Sequence, residues 1–365
     1  MELVEKLSEA LMTADSVEIG PAQLQVEDLP EHLDRNDTFS PFILVKDADN
    51  DGDVVETVYV GKGDLYKATA VAQKTFRQTI DTSPVSKQML HISNVLLLGA
   101  YEHHSATNVR HKLVEQGILS PEAELRFLGL LLTSKKLPKQ TKSPTLWHYR
   151  RSLVKSVSRD VFTPSPLFRA PGLLQLDEIN RGLETPYYDF SGLGPFLEHE
   201  FEVILRSAAA HKHNYYAWGY ARWLTEHEIK GDKAELRKLL SMTLWWICMS
   251  PPDTSSWSFF TYLALKLDDE DRKTILESLK VAQDRFRGRE SFYVCLRTLL
   301  TSVSEQVAQD WLDSLNESHY DLDEKMGPAA PGTFLELMHT KEKTDVALQK
   351  QALNFYYRKE PVVGS

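Results

Sequence analysis

Apolar residues recur at three- and four-residue intervals through most of the chain. In 122–134 (EAELRFLGLLLTS), 233–249 (KAELRKLLSMTLWWICM), 272–286 (RKTILESLKVAQDRF) and 304–315 (SEQVAQDWLDSL) that spacing lays an apolar stripe along one face and predicts amphipathic helices. Residues 1–14 read the same way. Turn signals separate the helices: Ser-Pro at 120–121, SPPD at 250–253 and RGRE at 287–290. The pattern changes near the N-terminus. FILV (42–45) and VVETVYV (54–60) are rich in β-branched residues and flank DADNDGD, whose Asp-Gly pair predicts a hairpin turn. Residues 160–195 carry five prolines and four glycines and predict a long irregular insertion, with a short helix near Leu173 to Arg181. MGPAAPG (326–332) breaks the chain before a last helical run at 334–359. The expected organisation is an N-terminal segment 1–63, a helical-hairpin domain 64–325 interrupted by 160–195, and a C-terminal helix and tail 333–365.

A single grammar repeats through the helical region. In HKHNYYAWGYARWL (211–224), Trp218 is followed by Arg222 at +4 and Leu224 at +6. SPTLWHYRRSL (143–153) gives Trp147, Arg150, Arg151 and Leu153; DTSSWSFFTYL (253–263) gives Trp257 and Leu263. Two weaker copies put Thr107 with Arg110 and Leu113, and Tyr293 with Arg297 and Leu299. The anchors 107, 147, 218, 257 and 293 are separated by 40, 71, 39 and 36 residues. The long gap contains the Pro/Gly-rich insertion, so a period near 40 holds throughout and predicts stacked helical hairpins. On a helix, Trp and the Arg four residues on share a face, where a guanidinium can lie on the indole; the apolar +6 residue falls on another side. A helix inside a stack needs two such packing sides. The expected fold is therefore all-α, a superhelical α/α solenoid of about five repeats with a small β-hairpin near the N-terminus.

Composition narrows the chemistry. Of 365 residues 42% are hydrophobic and 26% charged, which suits a globular chain with a sizeable core. The net charge is −10 and no dense Lys/Arg run occurs, which argues against a nucleic-acid grip. The two cysteines, Cys248 and Cys295, sit in apolar runs and fit buried thiols in a cytoplasmic protein. The N-terminus lacks a secretory h-region, the C-terminal PVVGS has no prenylatable cysteine, and no apolar run is long enough to span a bilayer. Asp47, Asp49, Asp51 and Gly52 match half a calcium loop, but its twelfth position is Val58 where a bidentate Glu is required. His103, His104, His211 and His213 have no Cys or carboxylate at ligand spacing on the same element, so no metal site is expected in this chain. GKG at 61–63 lacks phosphate-loop spacing, and no G-x-S-x-G occurs.

The repeat resembles that of the alpha subunits of protein prenyltransferases, which run roughly Asn-Tyr-x-x-Trp-x-x-Arg-Arg-x-Leu. NYYAWGYARWL (214–224) is similar to the family's signature copy, SPTLWHYRRSL to the preceding one and DTSSWSFFTYL to a later Asn-x-Ser-x-Trp copy, over about residues 90–300. SPFILV (40–45) and the degenerate copy TNVRHKLV (107–114) point within the family to a divergent branch that serves type III geranylgeranyltransferase. The resemblance implies a subunit that wraps a separate beta subunit, here the Rab-type one, which holds the zinc and the isoprenoid diphosphate. It implies a protein substrate that is already farnesylated, notably a SNARE. It also implies that His213, Asn214, Tyr215, Tyr216 and Asp253 lie at the substrate. In CaaX-type relatives a Lys before Asn-Tyr reaches the diphosphate and a Gln after it grips the substrate carboxylate; His213 and Tyr216 stand in those places, and Asp253 replaces an Asn. Both changes suit a substrate without a free CaaX end. Asn214-Tyr215 is a pair that packing does not demand, so its retention favours an enzyme subunit. The His213 replacement and the missing Trp at Thr107 favour the alternative, a helical-repeat adaptor without activity.

Overall fold

The computed structural model describes residues 1–20, 42–48, 54–83, 85–165, 193–281, 286 and 289–311. The hairpin turn at 49–53, most of the insertion 160–195 with its short helix, and the segment 333–365 lie outside the described residues. The described residues form an all-α repeat fold with one small N-terminal sheet. The chain divides into two compact units, Met1–Leu174 with Gly194–Ala221, and Gln175–Leu193 with Arg222–Ser365.

The first unit contains α1 (Glu2–Thr13), β1 (Ser16–Gly20), β2 (Phe42–Ala48), β3 (Val54–Gly61), α2 (Lys62–Thr79), α3 (Lys87–Gly99), α4 (His104–Glu115), α5 (Pro121–Thr133), the short α6 (Pro138–Thr141), α7 (Pro144–Val154) and α8 (Pro195–Ala210). The expected hairpin is present: β2 runs antiparallel to β3, with Phe42 opposite Val60 and Ala48 opposite Val54. A further strand, β1, joins the other edge of β3 in parallel, Ser16 opposite Thr57, to give the order β1-β3-β2. The sheet buries Val17, Val58 and Val60, alternate positions on β3 facing one way as the strand period requires. Gly-Lys-Gly at 61–63 simply passes from β3 into α2. Helices neighbouring in sequence pack on one another: α1 and α2 on α3, α3 on α4, α5 on α7 and α8.

α9 (Tyr215–Leu224) crosses the boundary between the units. The second unit continues with α10 (Lys233–Met249), α11 (Thr254–Lys266), α12 (Asp269–Val281) and α13 (Glu290–Leu300). Here α10 packs on α11, and α11 and α12 on α13. Trp246, Trp257, Phe259, Phe260 and Phe286 form its aromatic core, with the Trp257 ring edge-on to Phe286 at 4.9 Å.

The +6 residues of the five repeats, Leu113, Leu153, Leu224, Leu263 and Leu299, are all buried, as are the anchors Thr107, Trp147, Trp218, Trp257 and Tyr293. The anchoring also fixes the turn before each helix. The Trp147 indole donates to the Thr141 carbonyl at 2.9 Å and the Trp257 indole to the Pro251 carbonyl at 3.1 Å, each six residues back. An aromatic anchor thus buries a large ring while its indole N–H finds a turn carbonyl.

Candidate functional site

The signature copy begins in a turn. His213 has φ 56°, a left-handed backbone that is uncommon for a residue with a Cβ, and its side chain is exposed. The next residue is buried completely. Asn214 Oδ1 accepts from the Ala217 amide at 3.2 Å and so caps α9; its Nδ2 donates to the Thr141 carbonyl at 2.9 Å and the Ser207 hydroxyl at 3.0 Å. Thr141 O therefore gathers the Trp147 indole and the Asn214 amide, and ties the 211–214 turn to the turn before α7. Packing does demand Asn214, contrary to the sequence expectation. The side chain stands four residues before its anchor, where Ser143 caps α7 before Trp147 and Asp253 caps α11 before Trp257.

Asp253 is held in the same way. It is 2% exposed, accepts from the Ser255 and Ser256 amides, and receives the Trp246 indole at 3.1 Å. An Asp serves this cap as well as an Asn because both offer the same oxygen to the helix amides. Of the five residues expected at a substrate, only His213, Tyr215 and Tyr216 reach the surface. Tyr215 is 72% exposed and its ring meets that of Tyr216 edge-on at 5.7 Å. This exposed pair, following His213, is the portion of the signature available to a ligand or a partner.

The sequence puts the +4 arginine on the indole and names no partner for the +3 arginine. The +3 residues Arg110 and Arg150 are fully buried and clamp carboxylates rather than indoles. Arg150 Nε and Nη2 donate to Glu200 of α8 at 2.8 and 2.6 Å, and Nη1 donates to the Leu125 carbonyl at 2.8 Å. The Tyr220 hydroxyl donates to the same carboxylate at 2.7 Å. Burial alone would raise the Glu200 carboxyl, but Arg150 beside it holds it down at about 2. Arg110 makes the equivalent two-pronged pair with Glu124 of α5, adds Ser93 and Asn94 of α3, and lies 4.3 Å from the Phe127 ring centroid. The clamps tie α4 to α5 and α7 to α8. Arg151 is exposed, and Arg222 donates to the Ser258 hydroxyl at 2.7 Å with its guanidinium carbon 5.2 Å from the Tyr262 centroid.

The second unit carries a groove of about 710 Å³ lined by Trp257, Tyr262, Leu265, Val294 and Cys295, with Arg222, Lys266 and Glu290 also bordering it. Glu226 holds Tyr262 and Lys266, at 2.6 and 2.7 Å. Burial pushes the Cys295 thiol up to about 12, which favours the neutral thiol at neutral pH. Among the described residues no three His, Cys, Asp or Glu side chains converge as a metal site, and no helix is long and apolar enough to cross a membrane. Sequence reasoning missed this groove and the clamp acids Glu124 and Glu200, because each is assembled from segments whose contact no local pattern announces.

Residues 192–285 match a protein family described as the ECM9 middle domain. That stretch takes in the signature copy and runs through α12. Proteins named protein prenyltransferase alpha subunit repeat-containing protein 1 are similar to the chain. The Danio rerio protein is 30% identical over 182 residues, covering 50% of this chain and 39% of the relative. The Homo sapiens protein is 28% identical over 201 residues, 55% of this chain and 45% of the relative. The Xenopus laevis 1-A protein is 23% identical over 245 residues, 67% of this chain and 52% of the relative. The matched region thus spans about two-fifths to half of the length of these curated relatives. At 23–30% identity over about half its length or more, the chain is homologous to proteins named for prenyltransferase alpha subunit repeats.

Proposed function

We propose that this chain is the alpha-type subunit of a heterodimeric protein prenyltransferase of the type III geranylgeranyltransferase kind. The observation that carries the reading is the repeat itself, Trp or its substitute four residues after a cap, in a chain similar to relatives named for prenyltransferase alpha subunit repeats. In this reading the chain binds a Rab-type beta subunit, and zinc and the isoprenoid diphosphate belong to that partner. Zinc there activates the substrate thiol for attack on the isoprenoid, with diphosphate leaving. The residues of this chain would position the protein substrate, such as a farnesylated SNARE, with Tyr215 and Tyr216 offering exposed aromatic surface next to His213.

A second reading has an observation of its own. Asn214 is held by packing, so its retention says nothing for catalysis, and a helical-repeat adaptor without activity would keep it as well. Co-expression with the Rab-type beta subunit followed by size-exclusion chromatography separates the two. A stable one-to-one complex that transfers geranylgeranyl to a farnesylated SNARE supports the enzyme subunit. Absence of a complex with that beta subunit and with the farnesyltransferase one leaves the adaptor.

A further inference from the structure

The turns of the first unit hold a cleft that the prenyltransferase reading does not use. Tyr101, Pro138, Lys139, Lys142, Pro144 and His211 line it, with a volume of about 600 Å³. Its walls are fixed in advance. Gln140 Nε2 donates to the Leu98 carbonyl at 2.6 Å, the Ser143 hydroxyl lies 3.1 Å from the Tyr101 carbonyl, and the Asn214 bond to Thr141 holds the turn that carries His211.

The cleft carries a net positive charge, Lys139 and Lys142 against the single carboxylate of Glu102. The hydroxyls of Ser143 and Thr145 donate to that carboxylate and hold it in place. Lys139 lies 5.8 Å from the Tyr101 ring centroid, and among the described residues neither Lys139 nor Lys142 pairs with a carboxylate. Lys136 differs, since it pairs with Glu18 at 3.7 Å. His211 Nδ1 is bonded to the Lys212 carbonyl at 2.9 Å, which leaves Nε2 as its other polar atom. On a chain of net charge −10, such a cluster attracts anions against the general field of the molecule.

The kind of anion follows from the donors. A phosphate on a helix N-terminus needs free backbone amides. The caps take one amide each: Ser143 accepts from the Leu146 amide, His103 from Ala106 and Asn214 from Ala217, and Pro144 has no N–H. The cationic side chains that the lining offers an anion are Lys139 and Lys142. A bare phosphate would also leave the Tyr101, Pro138 and Pro144 surfaces uncovered, which an apolar side chain between carboxylates would bury. We propose that this cleft binds an acidic peptide segment of a protein partner, its carboxylates at Lys139 and Lys142 and an apolar or aromatic side chain against Tyr101, Pro138 and Pro144. Nothing in this depends on a beta subunit or an isoprenoid, so the two readings fail separately.

The test uses the purified full chain and a fluorescein-labelled peptide of repeated Glu-Glu-Phe, read by anisotropy. Binding should weaken about tenfold in Lys139→Glu/Lys142→Glu, and also on raising salt to about 0.3 M. Lys139→Gln/Lys142→Gln should show a smaller loss, and all variants should melt as the parent does. The same charge reversal at Lys74 and Lys112, both exposed, should change binding by less than about twofold. Equal loss from the Lys74/Lys112 reversal would overturn the proposal by showing unspecific attraction. Equal binding of a Gln-Gln-Phe peptide would overturn it too. So would full displacement by inorganic diphosphate at micromolar concentration, which would make the cleft a phosphate site.

Discussion

Asn214 carries the clearest lesson at the scale of the residue. It is 0% exposed, and its amide group meets a helix amide, a turn carbonyl and a hydroxyl at once. Replacing it with alanine removes a cap and leaves the Thr141 carbonyl with one donor fewer, so Asn214→Ala should cost about 1–3 kcal/mol in urea unfolding. Tyr215→Ala, at an exposed position, should stay within about 0.5 kcal/mol. An Asn214→Ala variant as stable as the parent would return this residue to the surface candidates. The cap is legible in principle: an Asn, Ser or Asp directly before a helical run is a helix-start signal. The family resemblance hides it, because it assigns Asn214 and Asp253 to a substrate. The exposure of Tyr215 and Tyr216 agrees with that assignment, while the burial of the two caps does not.

At the scale of the element, the clamps between helices decide how the helices hold register. Arg150 of α7 and Glu200 of α8 are both fully buried, so removing either strands a charge without water. Arg150→Met and Glu200→Leu should each cost about 3–5 kcal/mol, and the double variant clearly less than their sum, because no lone charge remains. A strictly additive cycle would show that the pair does not act as a unit. The pair also predicts a pH dependence. Glu200 is held at about 2 in the folded chain against an ordinary 4.5, so its contribution is complete above about 4.5 and is lost as the pH falls through that window toward 2. Glu200→Leu with Arg150→Met should flatten that stretch of the acid unfolding curve. The helices themselves were legible because apolar periodicity is local. So was the hairpin, through its Asp-Gly turn and β-branched runs. The acid opposite each arginine was not, since Glu200 lies 50 residues beyond Arg150. The strand β1 escaped for a similar reason: Ser16–Gly20 is short, and its partner β3 lies beyond residue 53. The basic cleft was missed because Lys139 and Lys142 stand three residues apart in ordinary sequence and only the fold adds Tyr101 and His211.

For the whole molecule, the proposed function raises the question of how the chain behaves without a beta subunit. In the second unit Leu265 and Val294 are each 44% exposed beside the groove lined by Trp257 and Tyr262. A partner that covers these neighbouring apolar side chains gains the area removed from water. The chain made alone should therefore self-associate and bind a hydrophobic dye, and co-expression with a beta subunit should suppress both. Leu265→Glu with Val294→Lys should make the isolated chain more monomeric by light scattering, and should weaken any beta-subunit complex that uses this face. Because both side chains are partly in water already, unfolding free energy should change by less than about 1 kcal/mol. A parent chain that is monodisperse alone, binds no dye and gains nothing from the double substitution would mean that this face has no partner. The groove would then be ordinary surface, and the adaptor reading would have to find its interface elsewhere.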